Sequence, residues 1–202
     1  GINWGKFGYP TVTSWESVYL MTKLTFEEAG KRGAEVDVIV GDQSGIEIKL
    51  WGGTTMANME QTKILHGAVL AGLERSAALE ESRLRSGQPA GPFAGAGKLL
   101  ERAQQQKQIT REDIELIAMA RQAGVRVLGF DELEHTRIEV PGAKHFTDGI
   151  LVPKIVAEEV TDIINLPKPP GRHMIMGNSG LTGAIKNHIG LLGASDRSPA
   201  LH

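Results

Sequence analysis

The feature that most constrains this chain is a recurring local order: an amphipathic helix, a glycine stop, a short β-branched strand and a polar loop. Ser14 reads as an N-cap, Glu16 sits in the first turn, and Trp15, Val18, Tyr19, Thr22, Phe26 and Ala29 follow helical spacing up to Gly30 or Gly33. Val36-Asp37-Val38-Ile39-Val40 then forms an apolar strand that ends in Gly41-Asp42-Gln43-Ser44-Gly45. The order returns where Thr110 and Asp113 resemble a capping box, Ile114, Ile117, Ala118 and Arg121 continue a helix, Gly124 stops it, and Val125 to Phe130 forms a strand ending at Asp131. A third version runs from a short helix over Val152 to Val160, with Pro153 in its first turn, to a strand over Asp162-Ile163-Ile164-Asn165-Leu166. Strands this short and apolar, separated by helices, predict an α/β fold: a mostly parallel sheet with helices on both faces, the helices supplying the crossovers that parallel strands require.

Between Met56 and Gln108 the pattern changes. Met56 to Leu73 and Ala77 to Leu84 read as helices, Gln88 to Gly97 as a Gly/Pro/Ala linker, and Lys98 to Gln108 as a polar, Gln-rich helix. This stretch predicts an inserted helical hairpin or lid. Thr136 to Val140, before Pro141-Gly142, alternates polar and apolar residues as an edge strand does. The opening Gly1 to Thr13, with Trp4, Phe7 and Tyr9 among three Gly and a Pro, reads as a loop with aromatic anchors; it and the inserted helices are candidate contacts in a homo-oligomer.

Composition removes several kinds of chemistry. With no Cys among 202 residues, the chain offers no disulfide, thiol nucleophile, Cys-ligated zinc or thiolate-held iron–sulfur cluster. A net charge of -2 gives no broad basic field, so nucleic acid is not an expected partner. The most apolar window, Gly149 to Pro167, is interrupted by Lys154, Glu158, Glu159 and Asp162, so a membrane span is not expected; a cytoplasmic location is the expectation, with an exported form the alternative.

In open parallel sheets ligands bind beyond the carboxyl ends of the strands, where loops and helix N-termini converge. The loops at those ends here carry Asp42, Asp131 and the run Lys168-Pro169-Pro170-Gly171-Arg172-His173. An aspartate ending a strand also caps turns, which is the competing role for Asp42 and more strongly for Asp131. The densest signal is Gly177-Asn178-Ser179-Gly180-Leu181-Thr182-Gly183-Ala184-Ile185-Lys186-Asn187-His188-Ile189-Gly190. Its three Gly in seven residues let backbone amides turn toward one point, and a helix beginning near Ser179 or Gly180 would bury Leu181, Ile185, His188, Ile189 and Leu192. Thr182, Lys186 and Asn187 face away from that stripe. A hydroxyl, an ammonium one turn later and free helix-terminal amides can serve one anionic group, although the same glycines also suit tight packing. A nucleotide P-loop needs Lys directly after its last Gly, whereas Ala184 follows Gly183. The six His show no helical metal-ligand spacing; His145 with Asp148 offers an imidazole and a carboxylate, in a sequence that better fits a surface turn.

Three segments together resemble the domain of unknown function 362 family: Val38 to Gly45, Ala157 to Lys168 with its Asp-Ile-Ile-Asn-Leu-Pro-Lys run, and Leu181 to Gly190. The resemblance implies an α/β fold and association with ferredoxin-type iron–sulfur modules, with no settled activity. Its shared polar positions fall on Asp42, Asn165, Lys168, Thr182, Lys186 and Asn187. Relative to that family, the stretch from about Ala71 to Gln108 looks inserted, the residues after Lys168 are less basic, and one α/β domain over 1–202 would be incomplete at both ends. The expectation is a protein binding a small anionic substrate or cofactor. Asp42 and Lys186 are the candidate catalytic residues, and Lys168, Asn178, Ser179, Thr182 and Asn187 the candidate binding residues. The alternative is a non-catalytic module that binds a ligand or docks on an electron-transfer protein.

Overall fold

A computed structural model describes residues 14–42, 54–110, 112–130, 133–144, 146–166 and 191–192. They form, in order, α1 (Trp15–Lys31), β1 (Val38–Asp42), α2 (Thr54–Arg85), α3 (Ala96–Gln105), α4 (Ile114–Gln122), β2 (Val125–Gly129), β3 (His135–Ile138), β4 (Ile150–Pro153) and α5 (Lys154–Glu158). The mixture of helices and strands fits the α/β class. Among the described residues the strands make two two-stranded sheets, β1 with β2 and β3 with β4. The chain divides into two compact units.

The first unit, Thr13–Val40 with Asn58–Leu128, is mainly helical. The cap read at Ser14 is present: its hydroxyl accepts from the Ser17 amide at 3.1 Å. The helix stops at Lys31, and Gly33, at φ 66°, takes the left-handed turn that a side chain would disfavour. Where the sequence suggests two helices, α2 runs through without a break, because Glu74, Arg75 and Ser76 are themselves helical. Ser76 is fully buried there, and its hydroxyl donates back to the Gly72 carbonyl at 2.9 Å.

Every residue from Ile64 to Leu73 is buried, which makes this part of α2 the core helix of its unit rather than an amphipathic surface helix. Small residues permit that. A Cβ on Gly67 would run into the Trp15 carbonyl and come within 3.1 Å of the Tyr19 amide, so α1 crosses α2 backbone to backbone. A Cβ on Gly72 would lie 2.7 Å from the Ala120 Cβ and 3.2 Å from Val125, so α4 and the start of β2 press on the next turn. Val18, Leu73, Leu99, Ala103, Ile109, Leu116 and Ala120 complete the core. The segment expected as a polar helix is shorter than its sequence suggests, and amphipathic, with Ala96, Leu99 and Ala103 buried.

At α4 the Thr110–Asp113 pairing is present, but it lies before the helix and not as a capping box. Thr110 donates its amide to Asp113 Oδ2 at 2.8 Å, while Asp113 is itself the N-cap and Ile114 the first helical residue. Gly124, at φ 88°, ends the helix and its carbonyl accepts from the Val38 amide at 2.7 Å, so β1 and β2 begin side by side.

The second unit comprises the described residues of Gly41–Ala57 and Gly129–His202. Its centre is the antiparallel hairpin of β3 and β4, with His135 opposite Pro153 and Ile138 opposite Ile150. The edge strand expected over Thr136 to Val140 is thus β3, shifted by one or two residues. Gly149, at φ 80°, closes on the Ile138 carbonyl where a Cβ could not fit, and the Arg137 guanidinium donates to the Gly149 carbonyl at 2.9 Å.

Two expectations are corrected here. Val152 and Pro153 belong to β4, since Val152 pairs with Thr136, and the helix begins only at Lys154. Residues 161–166 carry neither strand nor helix, and Ile163 and Ile164 are 55% and 54% exposed. The apolar run is there, but it joins neither of the two sheets among the described residues, β1 with β2 and β3 with β4. Among the described residues, no helix is long and apolar enough to cross a membrane.

Candidate functional site

Asp42 is the last residue of β1, so the structure puts its backbone at a strand end; its side chain lies outside the described residues. Lys168, Asn178, Ser179, Thr182, Lys186 and Asn187 lie outside them too, as do Asp131, His145, Arg172, His173 and His188. Asn165 is half-buried in the irregular segment that follows α5.

The strand end itself has a defined floor. Gly41 meets the tip of the Phe130 ring so closely that a Cβ would collide with its Cζ and Cε1, and Phe130 is 9% exposed. Only glycine lets the backbone before Asp42 lie on that ring. Phe130 directly follows β2, so in this unit the chain leaving β2 returns to the last residues of β1.

Three other polar arrangements were not legible as sites. On the α1–α2 face, the Tyr19 hydroxyl donates to Glu74 Oε1 at 2.6 Å, and Lys23 Nζ stands 3.1 Å from Glu74 Oε2. Burial, followed by the bond to Glu74, raises the Tyr19 pKa above its usual 10.0, so the phenol holds its proton and is a poor base or nucleophile. The hydrogen bond and charge of Glu74 hold the Lys23 ammonium above 10.5. This trio fastens two helices. One turn away, the Arg75 guanidinium stacks over the Phe26 ring at 4.0 Å from its centroid. The i, i+4 spacing of Tyr19 and Lys23 could be seen in the sequence; their partner Glu74, 55 residues on from Tyr19, could not.

Glu80 is 8% exposed; its Oε1 accepts from the Gly91 amide at 2.9 Å, while Oε2 is buried without a hydrogen-bond partner among the described residues. Arg83 holds the same turn through the Pro89 carbonyl at 2.8 Å. His66 is 5% exposed and packs edge-on against Trp15, ring centroids 4.8 Å apart, with Nδ1 buried and without a hydrogen-bond partner among the described residues. Burial lowers its pKa below 6.5 against a smaller opposing pull from Glu16. It is therefore a neutral imidazole at pH 7. Among the described residues, no group of three or more His, Asp or Glu is gathered as a metal site would need.

Comparison with known proteins adds one match. The family model described as "Domain of unknown function (DUF362)" matches residues 92–202. No curated protein matches the chain. No solved structure matches it either.

Proposed function

The chain belongs to the family described as Domain of unknown function (DUF362), and from that premise we propose that it binds a small anionic substrate or cofactor beyond the carboxyl ends of a parallel β1–β2 pair. The ammonium groups of Lys168 and Lys186 neutralise the anion. Thr182 and the backbone amides of 177–183 orient it, and Asn178, Ser179 and Asn187 complete its hydrogen bonds. Asp42 stands at the rim as an acid or base for whatever the anion carries.

The observation that carries this reading is the Gly41–Phe130 contact. Taken with the Val38–Gly124 hydrogen bond, it supports two strands that start together and finish together, as parallel neighbours do. In such a pair the carboxyl ends open on the same side, where loops bring amides and cations to a ligand. The matched region also contains all six proposed residues from Lys168 to Asn187.

A redox role beside a ferredoxin-type partner is compatible with this reading only if the cluster is held elsewhere, since these 202 residues supply no thiolate.

The test is thermal unfolding of the chain with inorganic phosphate, citrate and acetate at constant ionic strength. A ligand at a hundred times its Kd stabilises by about 2.7 kcal/mol. For the wild type one of the three should raise the midpoint by several degrees, and Lys186→Ala should abolish most of that rise. No rise with any of them, or a full rise in Lys186→Ala, would refute the proposal. An Asp42→Asn variant that keeps the rise but loses turnover of a bound substrate would make the site catalytic.

A further inference from the structure

We propose that His66 is an acid-operated latch between α1 and α2: neutral, it seats the first turn of α1 on the core helix; protonated, it releases that turn. Four observations converge on this position. The imidazole is buried at 5% exposure in the middle of an apolar run, Ile64-Leu65-His66-Gly67-Ala68-Val69-Leu70. Its Nδ1 is buried with no hydrogen-bond partner among the described residues, so none of them is placed to accept a second N–H. Its ring edge abuts Trp15, the first residue of α1. The adjoining Gly67 touches the backbone of that same turn, at the Trp15 carbonyl and the Tyr19 amide, so there is no slack with which α1 could yield while staying in place.

A proton on His66 meets two obstacles. At Nδ1 it must be buried without a hydrogen-bond acceptor among the described residues, and it sits beside the N-terminal turn of α1, whose free amides carry partial positive charge. Among the described residues, the charged group that acts on it from α1 is the exposed Glu16, which favours the proton but less strongly than burial opposes it. Moving Trp15 away relieves both obstacles at once, because the ring then reaches water.

The sign follows from proton linkage. The open form, with its imidazole near the ordinary pKa of about 6.5, takes up a proton before the closed form does. The latch therefore stays fully shut above that value. As pH falls below it, the opening equilibrium rises by about tenfold per pH unit, until the closed form also titrates.

Hydrogen exchange of the amides of α1 and α4, with intrinsic rates corrected for pH, tests this between pH 8 and 5. The expected result is that protection of Tyr19 to Lys23 falls about tenfold per unit below pH 6.5 while protection of Leu116 to Ala120 changes far less. In His66→Phe, which keeps an apolar ring and cannot be protonated, the α1 amides should lose that pH dependence. The latch is overturned if wild-type α1 protection is flat over this range, if α1 and α4 lose protection together, or if His66→Phe keeps the wild-type slope. Should that variant fail to fold, NMR titration of the His66 ring protons in the wild type decides. A ring that titrates near pH 6.5 with α1 still protected refutes the latch; one that stays neutral until α1 opens supports it.

Discussion

Gly67 and Gly72 let α2 act as a core helix, and each answers to a different neighbour. At Gly67 a methyl group would meet the Trp15 carbonyl, which is backbone and cannot rotate aside. At Gly72 it would meet the Ala120 methyl and Val125. Overpacking of this kind costs about 1–3 kcal/mol, to be set against the gain in helix propensity of roughly 1 kcal/mol on replacing glycine by alanine. Gly67→Ala should thus show a net loss of stability, whereas Gly30→Ala, with open space around its Cβ, should be neutral or stabilising. Urea midpoints of the two variants check this, and a Gly67→Ala midpoint at or above wild type would contradict the crossing. Glu74 sets a second expectation, at alkaline pH. The folded state holds both the Tyr19 phenol and the Lys23 ammonium protonated beyond their ordinary values of 10.0 and 10.5. Their contribution is fully present below those values and fades as pH rises through them, because the unfolded chain releases its protons first. Stability should fall as pH rises above 10, and Glu74→Gln should make that fall shallower without removing it, since the burial that raises Tyr19 remains.

The elements that could be read in advance are those whose ends are chemically marked. Ser14 before α1, Gly33 after it, Thr110 and Asp113 before α4 and Gly124 after it all act within a few residues of themselves, so their role is contained in local sequence. Asp113 makes this measurable. Burial alone would raise its pKa, but the Thr110 amide, the Gln106 side chain, the Thr110 hydroxyl and the Arg102 charge together bring it below 3.8. That contribution is present above 3.8 and is lost as pH falls through the lower folded value. Asp113→Ala should cost about 1 kcal/mol at pH 7, the usual net worth of an intramolecular hydrogen bond, here those from Thr110 and Gln106, and the gap between variant and wild type should narrow on going to pH 3. Chemical denaturation at the two pH values gives the answer, and a gap that widens in acid would rule the mechanism out. The segment at 162–166 failed for the opposite reason. Its Ile-Ile pair has the composition of a strand, yet pairing depends on a neighbour distant in sequence that no local pattern specifies. The same limit hid His66 and Glu80. The sequence shows an imidazole and a carboxylate, while their burial comes from α1 in one case and the turn at 89–91 in the other. Of the proposed anion site, the strand bearing Asp42 was legible, although it extends two residues further than its β-branched run suggests, because Gly41 and Asp42 continue its pairing.

For the molecule as a whole, charge decides what sort of anion the proposed site can take. A net charge of -2 on 202 residues leaves no surplus cation to follow a phosphate backbone, while Lys168, Arg172 and Lys186 lie within nineteen residues of one another in sequence. A local cluster on a nearly neutral chain favours a compact anion that a few amides and ammonium groups can surround. A polyanion needs many cations spread along its length, and the salt dependence of its binding grows with each phosphate neutralised. The two cases separate cleanly in one experiment. At about 150 mM salt, where the Debye length is ~8 Å, a small anion held by converging amides should still raise the unfolding midpoint, while duplex DNA should neither shift in a gel nor raise it. If DNA binds at this salt and phosphate does not, the basic residues form an open surface rather than an enclosed site, and the roles given to Thr182 and the amides of 177–183 fall with it. If both fail in the wild type while the urea transition remains cooperative, the fold stands without an anion site.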